Sequence, residues 1–401
     1  MAYDVTAVRK HFPALAEGAA HFDGPGGSQV PDVVAEAVAA TMVSGIANRG
    51  SVTAAEKRAT GIVIDARQAM ADLLGASPEG IVFGRSMTQL TYDFSRTLAK
   101  EWGAGDEIVV SRLDHDANIR PWVQAALAAG ATIRWVEPDP VSAELPVETI
   151  AAALTDRTRL VAVTGASNLV GTRPDIPTIA AAVHEVGALL YVDGVHLTAH
   201  APVDVTALGA DFYACSPYKF LGPHLGALAA APRAVGGAAA GQAAAGHRRR
   251  AGALRVRHAA VRAAGRHHRG GRLPGRPGRR CWRSALPTAG QHGRFGGVRG
   301  RAAGPAGDRT GRDRWGDPVR PSGPPDADRA VLGGRDGQPA GVYQELGKHG
   351  VNAPAGSFYA IECARVLGLG EAGAVRAGVA PYTDATTSIV DRLLAAVHVT
   401  S

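Results

Sequence analysis

Apolar residues recur at helical spacing over residues 53–74 and 119–129, and around these stretches come short, nearly unbroken apolar runs at 80–84, 107–111, 132–136, 158–164, 188–193 and 211–215. A helix that covers a core shows apolar positions every three or four residues, whereas a strand covered on both faces reads as a short continuous run. The alternation therefore predicts crossover helices on a buried, largely parallel sheet, an α/β fold. Gly75 stops the first helix, and a second opens near Ser86, just after the run at 80–84.

After Pro232 the pattern is lost. Residues 233–340 contain 23 Arg, 23 Gly, 21 Ala and 9 Pro, and no Ile, Asn, Tyr, Lys or Glu. With so few large apolar side chains, such a segment has little to offset the entropy of ordering its backbone. Three readings are open: an Arg/Gly-rich RNA-binding insert, a flexible linker, or a GC-rich coding sequence read out of frame between two compensating frame changes. The third is preferred, because it yields this Arg/Gly/Ala/Pro bias; the lack of RGG repeats and of interleaved Phe or Tyr weighs against the first. Helical patterning returns near Val342 and again over 387–397. The expected division is 1–232 as the N-terminal segment and large domain, 233–340 as the aberrant segment, and 341–401 as the remainder of a small C-terminal α+β domain.

This segment also explains the charge. The chain carries a net +7 with a sequence pI near 9.6, which by itself suggests a nucleic-acid partner. Its 23 Arg and 6 Asp put +17 within 233–340 and leave −10 for the rest, an ordinary acidic surface. No nucleic-acid partner is expected. Three widely spaced cysteines, Cys215, Cys281 and Cys363, suggest neither a disulfide framework nor a metal site. No apolar run follows a basic cluster at the N-terminus, and no stretch is long and apolar enough to span a bilayer, so a soluble cytoplasmic protein without membrane contact is expected.

The candidate chemistry gathers at the ends of the apolar runs. Residues 210–223 read Ala-Asp-Phe-Tyr-Ala-Cys-Ser-Pro-Tyr-Lys-Phe-Leu-Gly-Pro, which puts Ser216 and Lys219 on a turn after a strand. A lysine acting as an imine-forming amine has to be held where its neutral form is accessible; a surface lysine after a strand is the plainer alternative. Asp193 ends the run Leu190-Tyr191-Val192 and precedes Gly194-Val195-His196, at the strand end where open α/β sheets bind ligands. It suits a protonated pyridine nitrogen, or simply caps the next turn. Ser86-Met87-Thr88 opens a helix whose backbone N–H groups suit a phosphate, though Ser and Thr are also everyday caps. His115, within Asp114-His115-Asp116-Ala117-Asn118, and Asn168, within Gly165-Ala166-Ser167-Asn168, end two further strands. Polar clusters at so many strand ends on one rim are hard to assign to capping alone.

With these residues in view, the chain resembles the class V aminotransferase family and, within it, the cysteine desulfurase-like branch, over about 20–232 and 342–397. His21-Phe22-Asp23-Gly24-Pro25-Gly26-Gly27 and Asn48-Arg49-Gly50 are similar to the family's opening strand and its arginine–glycine turn. The resemblance implies the fold-type I, aspartate aminotransferase-like PLP-dependent transferase fold, with pyridoxal 5′-phosphate (PLP) as cofactor and a small amino acid as substrate. It also implies a homodimer. By it, Lys219 is the Schiff-base lysine, Asp193 the partner of the pyridine nitrogen and His115 the histidine stacked on the ring. Ser86, Met87, Thr88 and Ser216 surround the phosphate, Asn168 and His196 lie near the cofactor and substrate, and Arg376 grips the substrate carboxylate. No metal is implied. Tyr218 and His196 stand where the family commonly has His and Gln. Where desulfurases carry a loop cysteine this chain has Tyr359, with Cys363 four residues on. The expected function is that of a desulfurase-like PLP enzyme. The alternatives are an aminotransferase, β-lyase or epimerase of the same family, or an inactive, frame-damaged product.

Overall fold

The computed structural model describes residues 4–232, 234, 329–332, 339–384 and 391–392. Most of 233–340, and most of the helix expected over 387–397, lie outside the described residues.

The expected runs become strands of a seven-stranded sheet: β2 (Ile81–Gly84), β3 (Glu107–Ser111), β4 (Thr132–Val136), β5 (Thr158–Thr164), β6 (Leu189–Asp193), β7 (Phe212–Cys215) and β8 (Gly226–Ala230), ordered β2-β8-β7-β6-β5-β3-β4. Strands β3 to β7 pair in parallel, and β8 runs antiparallel between β7 and β2. Two antiparallel pairings in succession return β2 to the direction of β7, so β2, β3, β5, β6 and β7 all present their carboxyl ends at one edge.

Side chains alternate across this sheet as the pleat requires. Ile108, Val110, Leu160, Ala162 and Tyr191 enter a core with Trp122 and Phe212, while Val109, Val161, Val163, Leu190 and Val192 enter a second core with Leu74 and Ile81. With both faces covered, the strands read as continuous apolar runs. The helices α1 (Asp32–Val43), α2 (Ala54–Leu74), α3 (Met87–Leu98), α4 (Arg120–Ala129) and α5 (Ile176–Glu185) surround the sheet or precede it. Helix α2 starts with a capping box, in which Thr53 accepts from Glu56 N–H and the Glu56 carboxylate accepts from the Thr53 amide, and ends at the left-handed Gly75.

The C-terminal part is smaller. Strand β1 (Ala20–His21) pairs with β10 (Val351–Asn352), and β12 (Ala374–Gly378) lies between β11 (Ala355–Gly356) and β9 (Arg329–Leu332). The short strand β9 falls inside the segment that shows no periodicity in the sequence. Helices α6 (Pro339–Lys348) and α7 (Ile361–Val366) complete the described part. Among the described residues no helix is long and apolar enough to cross a membrane, and no cluster of His, Cys, Asp and Glu suits a metal.

Candidate active site

The strand ends enclose a cleft of about 460 Å³, part of it open to solvent, lined by residues from β2–α3, β3–α4, β5, β6 and β7. Ser86, Met87, Thr88, His115, Asn168, Asp193, His196, Ser216 and Lys219 all face it, joined by Tyr218. Arg376 reaches the same region from β12, donating from Nη1 to the Asn168 carbonyl at 2.9 Å.

Helix α3 gives the cleft one wall. Ser86 caps it, its Oγ accepting from Gln89 N–H at 3.1 Å. That hydroxyl serves the helix, while the first-turn N–H groups of Met87 and Thr88 open toward the cleft with the positive end of the helix dipole. Gly226 lets β8 pass directly behind this turn: a Cβ there would lie 2.3 Å from the Ser86 carbonyl carbon and 2.4 Å from Met87 N. Ser216, at the end of β7, is buried nearby.

Asp193 lies at the floor with only 4% of its surface exposed, its Oδ1 accepting from Val195 N–H at 2.9 Å. Burial pushes its carboxyl up to about 6, against the pull of that N–H and of the Lys219 charge. Lys219 projects from the short 3₁₀ turn Pro217–Lys219 that follows β7, half-buried, with its Nζ 5.9 Å from the centre of the Tyr218 ring. A carboxylate at the end of one parallel strand and an amine just past the end of its neighbour thus share a cleft.

His115 stands on the opposite rim. Its Nδ1 accepts from Ala117 N–H at 2.9 Å, so Nδ1 is the unprotonated nitrogen and Nε2 carries the hydrogen. Burial, followed by the charges of Lys219 and Arg376, pushes its pKa down to about 3, and the ring is neutral at physiological pH. The His196 ring packs at 4.1 Å against His200.

The second rim comes from the C-terminal segment. Asn168 donates from Nδ2 to the Phe358 carbonyl at 2.9 Å, and its buried Oδ1 has no hydrogen-bond partner among the described residues. The Arg376 guanidinium, 3% exposed at the residue, lies 3.7 Å from the centre of the Phe358 ring. Burial lowers its pKa to about 10, with Asp23 and Tyr218 opposing, so it keeps its charge at neutral pH. Its Nε is buried and unpartnered among the described residues. Tyr359 is 71% exposed, its ring 5.5 Å from that of His115. Cys363 is fully buried, and burial, then the neighbouring Asp114, pushes its thiol up to about 12. A thiol so held is poorly suited to nucleophilic work.

Phe358 and Tyr218 are the contributors that sequence reasoning did not single out for a role. Tyr218 carried a signal in its place beside Lys219. Phe358 had none, since its contact with Arg376 depends on how a loop and a strand pack.

The aminotransferase class-V family profile matches residues 20–239. Among curated proteins, the chain is 38% identical over 232 residues to the aminotransferase-like protein FGM3 of Gibberella zeae, covering 56% of this chain and 57% of that one. It is 35% identical over 236 residues to a cysteine desulfurase of Klebsiella pneumoniae, covering 56% and 57%. The chain thus spans little more than half the length of the curated relatives it matches. Of solved structures, the cysteine desulfurase CsdA of Escherichia coli superposes with a TM-score of 0.74 at 23% identity, over 99% of this chain and 98% of that one. A mutant of the protein C-DES, with glycine covalently linked to its PLP cofactor, superposes with a TM-score of 0.69 at 18% identity, over 96% and 98%. At these identities the structures establish the fold.

Proposed function

The chain belongs to the class-V aminotransferase family, which is PLP-dependent, and from that premise we propose that it acts on a small amino acid through a cofactor held by Lys219. The observation that carries the reading is the shared cleft: an amine, a buried carboxyl and an anion-binding helix turn arrive there on separate elements. The donor set suits PLP. A buried carboxyl with one hydrogen bond and a helix N-terminus backed by a glycine match a pyridine nitrogen and a phosphate, and the unpartnered Asn168 amide oxygen can accept from a bound amine.

When bound, PLP supplies an aldehyde that condenses with primary amines and a pyridine ring that accepts electrons from the substrate Cα. In this reading Lys219 would hold the cofactor through Nζ and, when its amine is free, would carry a proton at Nζ to and from the substrate. Asp193, poorly solvated as an anion, would be stabilised in its ionised form by a protonated ring nitrogen beside it and would in turn keep that nitrogen charged. His115, neutral with hydrogen on Nε2, would face the bound ring without adding a competing charge. The N–H groups of Met87 and Thr88, with the Thr88 and Ser216 hydroxyls, would hold the phosphate, and Ser86 keeps the helix turn in place. Arg376 offers Nε to the substrate carboxylate while Asn168 holds its Nη1, and His196 stands on the substrate side.

Within the family we favour a desulfurase-like reaction or a β-lyase over one that relays sulfur on an enzyme thiol. The loop bears Tyr359 in place of a cysteine, and Cys363 is buried. Aminotransferase and epimerase chemistry are the further alternatives, and an inactive product of a shifted frame is the alternative of another class. A homodimer is part of the reading: Met42, Val43, Ile46 and Val52 are exposed apolar side chains that a second copy would bury. The division at 232 and 341 and a cytoplasmic location complete it.

The test is direct. Purified protein should be yellow and bleach with borohydride, and Lys219→Ala should be colourless. With cysteine as substrate and dithiothreitol added as thiol acceptor and reductant, the reading expects pyruvate, ammonia and sulfide in equal amounts for a lyase, or alanine for a desulfurase, whose sulfur leaves at the zero-valent level and becomes sulfide only as the added thiol is oxidised. A correctly folded, colourless wild-type protein would overturn it.

A further inference from the structure

Phe358 and Tyr359, consecutive residues in the loop over the cleft, have φ values of 53° and 60°. The left-handed region is unfavourable for residues with side chains, and two in succession persist only where the surroundings hold them. Several contacts do so. Asn168 Nδ2 donates to the Phe358 carbonyl at 2.9 Å, Asp116 N–H donates to the Tyr359 carbonyl at 2.7 Å, and β11 pairs with β12 just before the turn.

Three residues after Tyr359, in the first turn of α7, Glu362 is 5% exposed and is met by three arginines. Arg120 donates to its Oε1 at 2.8 Å, Arg112 donates to its Oε2, and Arg365 lies 3.5 Å away. Arg112, just past the end of β3, lies over the Trp135 ring at 4.5 Å and also pairs with Glu137; Arg120 pairs with Asp116 as well. One buried carboxylate from the C-terminal segment is thus gripped by two guanidiniums of the large domain, Arg112 after β3 and Arg120 on α4, with Arg365 of its own helix alongside. Its carboxyl stays below the usual range because the arginines outweigh the cost of burial.

We infer that Glu362 is a positioning residue that latches the strained loop over the cleft and thereby holds Phe358 on the Arg376 guanidinium. It acts through the loop and touches neither substrate nor cofactor. With Phe358 covering one face and Asn168 taking Nη1, Arg376 is left to meet a carboxylate through Nε, so the latch selects substrates that present a carboxylate edge-on. The substrate part of this inference rests on the function proposed above; the latch does not.

Hydrogen exchange followed by mass spectrometry on the full chain tests it. Glu362→Gln keeps the shape and removes the charge. It should speed exchange in peptides covering 355–360 at least about tenfold, leave peptides from β5 and β6 at wild-type rates, and be partly rescued by Glu362→Asp. Arg120→Gln should produce the same local pattern to a smaller extent. Unchanged loop exchange in both Glu362→Gln and Arg120→Gln would overturn the inference, as would equal acceleration in β5 and β6, which marks a general stabilising role. The measurement needs no bound cofactor, so a colourless protein with a latched loop would sink the PLP reading and leave the latch standing.

Discussion

Asp193→Asn isolates what the proposed site costs the fold. The side chain is buried and its carboxyl is raised by burial from the ordinary 3.8 to about 6. Because the folded value lies above the unfolded one, the group's contribution to stability is complete below about pH 3.8, declines as pH rises through about 6, and is gone above that. The displacement corresponds to roughly 3 kcal/mol. Asparagine keeps the Oδ1 that accepts from Val195 N–H and carries no charge. Cofactor-free Asp193→Asn protein should therefore match the wild type near pH 4 and exceed it by up to about 3 kcal/mol at pH 8. Urea unfolding at both pH values measures this, and comparing wild type with variant cancels the other titrating groups. With PLP added the order should reverse, because the variant loses the partner of the ring nitrogen and releases cofactor more readily. A cofactor-free variant less stable than wild type at pH 8, or a gap that does not change with pH, would refute the reasoning.

Further outcomes follow from the same geometry. Arg376→Lys removes the Nε donor and the planar group under Phe358, and should raise KM for the amino acid on the order of 10- to 100-fold with little change in cofactor absorbance. Gly226→Ala would force a methyl group against the backbone of Ser86 and Met87 and should weaken PLP affinity by about tenfold or more, measured by cofactor titration. Gly347→Ala, in helix α6 with open space around its Cβ site, is the control and should leave cofactor affinity unchanged. Glu107 lies on β3, is 3% exposed, and its carboxyl is held down to about 2 chiefly by the bidentate Arg134, against its burial. Its stabilising effect is present above the ordinary 4.5 and lost as pH falls through about 2. Arg134 and Arg157 are themselves 41% and 57% exposed, so Glu107→Gln should cost only about 2 kcal/mol at pH 7, seen in urea unfolding, with cofactor absorbance unchanged.

The sheet was legible in the sequence because it is covered on both sides. Strands β3, β4 and β5 lie where their apolar runs predict, and the others start within a residue. Strand β8 was not read, since Gly-Ala-Leu-Ala-Ala has the composition of a helix or loop. Its small residues answer to crowding that sequence alone does not reveal: Gly226 passes behind the Ser86–Met87 turn, and Ala230 lies against Gly80. Helix α1 leaves Val38, Met42 and Val43 exposed, so its apolar positions mark no buried stripe. Within the site, Lys219, Asp193 and His115 were legible because each follows an apolar run by a residue or a few. The loop over the cleft was not, because Phe358 and Arg376 meet Asn168, and Glu362 meets Arg112, across 190 to 250 residues of chain.

Borohydride reduction of the freshly purified protein, followed by peptide mass mapping, tests the central claim most directly. A pyridoxyl adduct is expected on Lys219, in the peptide that also contains Ser216 and Tyr218, and on no other lysine. An adduct on another lysine, or none on a folded protein saturated with PLP, would contradict it.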